Sequence, residues 1–375
     1  MLKYLSYASR NSANLNVKSS RSALTNWYKQ KFDRTGASSA PVAIKIGVNS
    51  VCNARCKTCD IGIGDPNSIF SKNLNVGKSL DFALAKKILR EASAFRPKIT
   101  IDSTEPFLYK PLFDLIHEVK SSGMRCFVQT NGITLKRYAS EVSESGLDEL
   151  GISIDGTETI HDDIRGIPGM YNKIWSGLDR LSNYNEIPKL KLNFVISEHN
   201  QDNLINFLSF VERSGIKFDG INLYHQNYIS HAMAQQHNES WGYCLPVTET
   251  NCKEANPTNI NVDVLLNQIE TIRRNQYSFP IKWIPNLFTR SRIHDYYYNP
   301  NVIMHHQSCV IPWHIIRVLP DGTSGVISRC YFLQCGDLNE VSLLEAFNHK
   351  AMMEFRKIMQ KEGLLPACNR CCAIF

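Results

Sequence analysis

Val51-Cys52-Asn53-Ala54-Arg55-Cys56-Lys57-Thr58-Cys59-Asp60 decides how this chain is read: three cysteines at CxxxCxxC spacing, placed just after a strand-like segment. Thiolates suit soft metals and iron-sulfur clusters, and a four-iron cluster takes four of them, so a group of three leaves one iron without a protein ligand. An iron left open can bind a molecule that reacts.

Working outward, β-rich runs alternate with helical patterns. Val42 to Val48, Lys98 to Asp102, Arg125 to Thr130 and Glu149 to Ile154 read as strands, while Leu80 to Ala94, Leu112 to Ser121 and Leu135 to Ser145 read as helices. This rhythm predicts parallel strands with helical crossovers, an α/β fold whose reactive groups collect at the carboxyl ends of the strands. Polar stops fall at those ends: Ile99-Thr100-Ile101-Asp102-Ser103-Thr104-Glu105-Pro106, Phe127-Val128-Gln129-Thr130-Asn131-Gly132 and Gly151-Ile152-Ser153-Ile154-Asp155-Gly156. His161-Asp162-Asp163-Ile164-Arg165-Gly166 and a helical stretch from Tyr171 to Leu181 follow, with further strands at Lys191-Leu192-Asn193-Phe194-Val195-Ile196 and Gly220-Ile221-Asn222-Leu223-Tyr224.

Taken together, residues 43–230 resemble the radical S-adenosylmethionine (radical SAM) enzymes, whose fold is a partial (βα)6 barrel. The resemblance implies that Cys52, Cys56 and Cys59 hold a [4Fe-4S] cluster whose open iron chelates AdoMet. It makes Ser103, Thr104, Glu105, Thr130, Asn131, Ser153, Asp155, Arg165 and Asn193 the cofactor-binding set, with Arg165 near the AdoMet carboxylate. Ser103 and Thr104 stand where the family usually has two glycines before Glu-Pro. Thr58 replaces an aromatic residue that commonly precedes the third cysteine, so adenine contacts are expected elsewhere.

Half of the 12 cysteines lie in the last fifth of the chain, at Cys309, Cys330, Cys335, Cys368, Cys371 and Cys372. Arg317-Val318-Leu319 and Gly325-Val326-Ile327 flank a Pro-Asp-Gly-Thr-Ser turn and predict a β-hairpin, with a helix at Leu343 to Phe347. The arrangement is similar to the SPASM or twitch auxiliary domains that follow many radical SAM barrels. This implies one auxiliary [4Fe-4S] cluster on Cys309, Cys330, Cys368 and Cys371. A four-cysteine zinc site would suit the same thiolates. Cys126 is expected in the core. Cys244, Cys252, His225, His231 and the pair His305-His306 are read as ordinary core or loop residues.

At 375 residues the chain exceeds the usual size of a single core. The expected organisation is a 1–42 N-terminal extension with a short helix over Leu24 to Phe32, the 43–230 barrel, a loop-rich linker or substrate-facing segment over 231–300, and the 301–375 auxiliary domain. Residues before Asp33 hold no acid, a composition shared with organellar transit peptides, but the short helix is the preferred reading. No run of 18 apolar residues predicts a membrane span. A net charge of +7 from 42 Lys and Arg against 35 Asp and Glu is mild and dispersed, with no nucleic-acid-binding module. Close cysteine clusters in a long chain predict metal binding in a reducing, cytoplasmic compartment rather than disulfides.

The resemblance implies an enzyme that reductively cleaves AdoMet to methionine and a 5′-deoxyadenosyl radical, which removes a substrate hydrogen. The electron comes from an external flavodoxin- or ferredoxin-type reductant. The short stretch before the barrel is too small for the leader-peptide-binding domain of many peptide maturases, which favours oxidation, dehydration or epimerisation of a small or carbohydrate-like substrate. A peptide or protein side-chain maturase and a non-catalytic iron-sulfur electron carrier or sensor are the alternatives.

Overall fold

A computed structural model of the chain describes residues 17–74, 76–102, 104–304 and 309–371. In chain order its elements are α1 (Val17–Phe32), β1 (Ala43–Ile46), α2 (Phe82–Ala92), β2 (Lys98–Ile101), α3 (Leu112–Ser121), β3 (Arg125–Thr130), α4 (Ala139–Glu144), β4 (Glu149–Ser153), α5 (Glu158–Arg165) and α6 (Met170–Ser182). There follow β5 (Lys189–Ile196), α7 (Leu204–Arg213), β6 (Gly220–His225), α8 (His231–Trp241), α9 (Val262–Arg274), β7 (Ile281–Ile284) and α10 (Arg290–Tyr298). The C-terminal elements are β8 (Ile315–Val318), β9 (Thr323–Ile327), β10 (Phe332–Asp337), α11 (Leu343–Phe347) and α12 (Lys350–Glu362).

Two compact units emerge, each assembled from three separated stretches. One takes the described residues of Met1–Val51, Leu74–Val128 and Gln307–Leu365; the other takes those of Cys52–Asn73, Gln129–His306 and Pro366–Phe375.

In the first unit the strand order is β10-β9-β8-β1-β2-β3. β1 runs parallel to β2 and to β8, with Lys45 opposite Thr100 on one side and Arg317 on the other. Alternate side chains Ile44, Ile46, Ile99, Ile101, Cys126, Val128, Ile316 and Val318 are wholly buried on one face. α2 and α3 supply buried stripes, Leu84-Ala85-Ile88-Leu89-Ala92 and Leu112-Leu115-Ile116-Val119, at the helical three-and-four spacing. Asp81 caps α2 by accepting from Leu84 N at 2.9 Å. The expected hairpin forms as β8 and β9, which pair antiparallel, and β10 extends it. The auxiliary segment thus continues the sheet through β8 instead of standing apart from β1. Arg356 fastens it from inside, donating to the carbonyls of Pro312 (2.8 Å), Gly36 (3.0 Å) and Phe347 (2.7 Å).

In the second unit β4, β5, β6 and β7 are all parallel. Leu192, Phe194, Ile196, Ile221 and Leu223 are fully buried, as are Leu204, Phe207 and Leu208 of α7. Close packing of α6 depends on Gly177, where a Cβ would lie 2.7 Å from Lys136 N.

Residues 231–300 correct the loop-rich expectation. They hold α8, α9 and α10 and a seventh strand, β7, which pairs with β6. α9 forms because Val262, Leu265, Ile269 and Ile272 make a buried stripe and Asn261 caps its first turn. Among the described residues no helix is long and apolar enough to cross a membrane.

His225, at the end of β6, is fully buried with Nδ1 2.9 Å from the Tyr297 hydroxyl. Burial pushes its imidazole down to about 3. The unfolded chain therefore binds a proton that the folded unit refuses, so the stability it contributes is complete above roughly pH 6.5 and is lost as pH falls toward 3. Replacing His225 by Phe should flatten the decline of the thermal midpoint between pH 6.5 and 4. It should also cost about 1–3 kcal/mol at pH 8, where Tyr297 loses a buried partner. Unfolding curves across that range check both effects.

Candidate functional site

The cysteine loop is held by its backbone before any metal is considered. Arg55 N donates to Arg165 O at 3.0 Å and Lys57 N to Ile164 O at 2.9 Å, so the loop satisfies carbonyls at the C-terminal end of α5. Within the loop Cys59 N donates to Cys56 O at 3.1 Å, Ile63 N to Cys59 O at 3.1 Å and Asp65 N to Asp60 O at 2.8 Å. A Cβ on Gly62 would sit 2.7 Å from Cys56 N, closer than real Cβ atoms approach, so only glycine lets the chain fold back here. Gly166 ends α5 in the left-handed region at φ 69, and a Cβ there would meet Arg55 O at 3.0 Å.

Asp155 is the anchor of the site. It is fully buried; its Oδ1 accepts from Val195 N at 2.9 Å, and its Oδ2 pairs with Arg165 Nη2 at 2.6 Å. Its own N–H donates to His161 Nδ1 at 3.1 Å, which leaves the ring proton on Nε2. Burial first, then the Arg165 charge, keeps that imidazole neutral far below its ordinary range. Asn200 Nδ2 donates to Asp155 O at 2.9 Å. With one edge held by Asp155, Arg165 donates through Nη1 to Cys56 Sγ at 3.6 Å. Burial opposes the guanidinium charge, but Asp155 and Cys56 outweigh it and hold Arg165 protonated above its ordinary range.

The Cys56 thiol is pushed up to about 11, chiefly by burial; Arg165 opposes this, while Cys59, Asp155 and Cys52 add to it. Three thiols that repel one another as thiolates, one of them buried against a guanidinium, form a donor set that iron relieves, because only a deprotonated sulfur ligates and the metal charge replaces the lost proton. The residues fit a cluster. Among the described residues no three His, Cys, Asp or Glu side chains gather tightly enough for a single metal ion. A cluster of several irons does not require ligands converging on one point.

Asn131 Nδ2 donates to Asn53 Oδ1 at 2.7 Å, tying the stop after β3 to the loop, while its Oδ1 accepts from Ile133 N at 3.0 Å. Thr130 Oγ1 accepts from Gly132 N at 3.0 Å and shapes the turn. Ser153 and Asn193 join a polar ladder: Gln129 Nε2 donates to Ser153 Oγ at 2.8 Å, Asn193 Nδ2 to Gln129 Oε1, and Asn222 Nδ2 to Asn193 Oδ1 at 2.8 Å. Lys191, on the same face as Asn193, pairs with Glu149 at 2.5 Å.

Thr104 and Glu105 belong to the first unit. Thr104 Oγ1 donates to Asn49 O at 3.0 Å, and the buried Glu105 caps the following 3-10 turn by accepting from Phe107 N at 3.1 Å. Ser103 lies outside the described residues, as do His305, His306 and Cys372. Cys309 and Cys330 fall in the first unit and Cys368 and Cys371 in the second. Arg370 seats the latter pair by donating to carbonyls at the end of α10, Tyr296 (2.5 Å), Asp295 (2.8 Å) and Asn299 (2.7 Å). Sequence reasoning assigned no role to Asn53, Gln129, His161, Asn200 or Asn222. His161, six residues after Asp155, was the one with a readable signal.

Residues 46–211 match the family model described as the Radical SAM superfamily, and residues 309–372 match that of SPASM, an iron-sulfur cluster-binding domain. The chain is a radical SAM protein with a SPASM domain. Its cofactors are accordingly a [4Fe-4S] cluster, AdoMet and auxiliary iron-sulfur. A probable GTP 3′,8-cyclase of Metallosphaera sedula is 27% identical over 175 residues, 46% of this chain and 52% of that protein. Pre-heme d1 synthase of Dinoroseobacter shibae is 30% identical over 167 residues, 44% of this chain and 39% of that protein. The chain thus spans about half the length of the curated relatives it matches. Among solved structures, Streptococcus suis SuiB bound to precursor peptide SuiA superposes with a TM-score of 0.59 at 15% identity, covering 89% of this chain and 70% of SuiB. Native anSMEcpe with bound AdoMet gives a TM-score of 0.56 at 15% identity, with 84% and 82% covered. Both likenesses show the shared α/β fold.

Replacing Gly62 by Ala should strip the iron and sulfide held by the cysteine loop while leaving a C-terminal complement, read by iron and acid-labile sulfide assays after anaerobic reconstitution. Asp155→Ala leaves a buried guanidinium without its counter-charge and should cost about 3–5 kcal/mol in urea unfolding.

Proposed function

We propose that this enzyme binds AdoMet at the cluster of Cys52, Cys56 and Cys59 and uses it to remove a hydrogen atom from a small polar substrate, with oxidation, dehydration or epimerisation as the net outcome. The observation that carries the reading is the Arg165 guanidinium, fixed by buried Asp155 and directed at Cys56 Sγ. When bound, cluster and AdoMet supply a one-electron cleavage to methionine and a 5′-deoxyadenosyl radical.

The residues of the chain bind and orient. Arg165 offers a cation beside the ligating sulfur, where a carboxylate such as that of AdoMet finds charge-assisted donors. Thr130 and Asn131 shape the turn over the loop. The half-buried ladder of Ser153, Gln129, Asn193 and Asn222 provides amide and hydroxyl groups suited to hydroxyls on ribose or substrate, and Lys191 with Glu149 adds charge on the same side. Such a face favours a small hydroxylated molecule over an apolar one, because polar groups left unpaired by the wrong ligand are costly. Names such as GTP 3′,8-cyclase and pre-heme d1 synthase among the relatives agree with small-molecule chemistry.

The test is 5′-deoxyadenosine formation by reconstituted protein given AdoMet and dithionite, with small-molecule and macromolecular fractions of host extract added separately. Stimulation by the small-molecule fraction is expected. Stimulation by the macromolecular fraction alone would point to peptide maturation, and no deoxyadenosine from cluster-loaded protein would point to an electron carrier or sensor. Converting Cys52, Cys56 and Cys59 to Ala should abolish cleavage and leave only the C-terminal iron.

A further inference from the structure

Helix α1 is amphipathic the wrong way round. The side it turns into the first unit carries Ser19, Ala23, Asn26 and Gln30, small or polar and all buried. Its outward side carries Leu24, Tyr28 and Phe32, four residues apart on one stripe and 54%, 59% and 61% exposed. The inner side does not lack bonding. Asn26 Nδ2 donates to Ala40 O at 2.8 Å and Trp313 O at 2.7 Å, and its Oδ1 accepts from Ser39 N at 2.8 Å and Ser38 Oγ at 2.8 Å. Gln360 Nε2 holds the C-terminal end by donating to Gln30 O at 2.9 Å and Asp33 O at 2.8 Å. Side-chain amides therefore fasten the helix, and its apolar residues are left for something else.

Isolated exposed apolar side chains are ordinary, but an apolar stripe with two aromatic rings on a firmly anchored helix marks an interaction surface. Tyr28 and Phe32 already touch, with ring centroids 5.0 Å apart. Around the stripe stand the exposed cations Lys18, Arg21, Lys31 and Arg34, and α1 contains no carboxylate. An apolar centre with a cationic rim fits a partner with an apolar patch inside an acidic rim. Gln30, on the inner side, donates to Cys309 O at 3.2 Å, so the stripe lies one helix thickness, about 10–12 Å, from a cysteine of the SPASM domain.

We propose that the outer face of α1 is the docking site of an acidic one-electron carrier protein of flavodoxin type, which delivers electrons beside Cys309. The proposal rests on the reading of the chain as a radical SAM enzyme, which needs such an electron. In the transfer, the carrier's anionic flavin hydroquinone loses one electron to become the neutral semiquinone, and an iron-sulfur centre of the chain gains it. No atom or proton changes hands.

The probe is a purified acidic flavodoxin, titrated against the reconstituted full chain by calorimetry at low and moderate salt. Binding should weaken as salt rises. Leu24→Ser/Tyr28→Ser/Phe32→Ser should raise Kd at least tenfold, and Lys18→Glu/Arg21→Glu/Lys31→Glu should do the same while removing most of the salt dependence. Both variants should form deoxyadenosine with dithionite at the wild-type rate and lose most of the rate with reduced flavodoxin. Circular dichroism melting confirms that the variants remain folded, and the two sets alter the face by independent chemistry. Unchanged Kd in both variants overturns the proposal. It is also overturned if the stripe variant loses only binding to phosphatidylserine vesicles, or only self-association in sedimentation. Failure of dithionite to drive the wild type would instead sink the enzymatic reading, while the calorimetric arm still decides the docking site.

Discussion

The ion pair between Asp155 and Arg165 is the contact on which the candidate site depends. Asp155 follows β4 and Arg165 closes α5, and neither charge could remain buried alone, since the penalty for an uncompensated buried ion is several kcal/mol. Because Asp155 is also locked by Val195 N and Asn200, its position is set by the sheet, and Arg165 inherits that position. Arg165 in turn offers Ile164 and its own carbonyl to the cysteine loop, so one buried carboxylate fixes a sulfur, a cation and the loop backbone together. Placement of this kind removes the reorganisation that a flexible site would need at the moment of reaction.

Much of this was legible in the sequence, for a definite reason. Strand ends followed by polar stops have short-range signatures, so α3 and β3 fall where the pattern put them and β4 differs by one residue. The CxxxCxxC loop, Asn131, Asp155 and Arg165 meet in one unit because their chemistry and spacing are tied to those strand ends. Other features are tertiary and left little trace. β7 is four residues long between Pro280 and Pro285 and gives no alternation to read, although the stripe on α9 was available. The hydrogen bond from Arg165 to Cys56 sulfur joins residues 109 apart, and no local pattern encodes it. Glu105, read as a cofactor ligand, also serves as a turn cap, a role carried by any acceptor before a Pro-initiated 3-10 turn. The amphipathic pattern predicted a helix over Leu24 to Phe32, and α1 runs from Val17 to Phe32, but which side faces inward is set by Asn26 and its partners 12 to 287 residues away.

Arg370 and Arg356 solve one problem in the two units. Each is a buried guanidinium facing backbone carbonyls, a use for which the planar fork of arginine is better suited than lysine. Arg356 joins the C-terminal segment to Gly36 near the start of the described chain, and Arg370 joins it to α10.

These long-range ties govern how the protein can acquire its structure. Both units are stitched from early and late stretches of chain, so on a ribosome the first strands emerge long before the residues that complete their sheet. β1 must wait some 270 residues for β8, since Ala43 pairs with Ile315. Loop closure over such distances is slow, and apolar edges stay uncovered meanwhile. The chain is thus poorly suited to vectorial, domain-by-domain folding during synthesis, because one edge of β1 stays unpaired until the SPASM hairpin arrives.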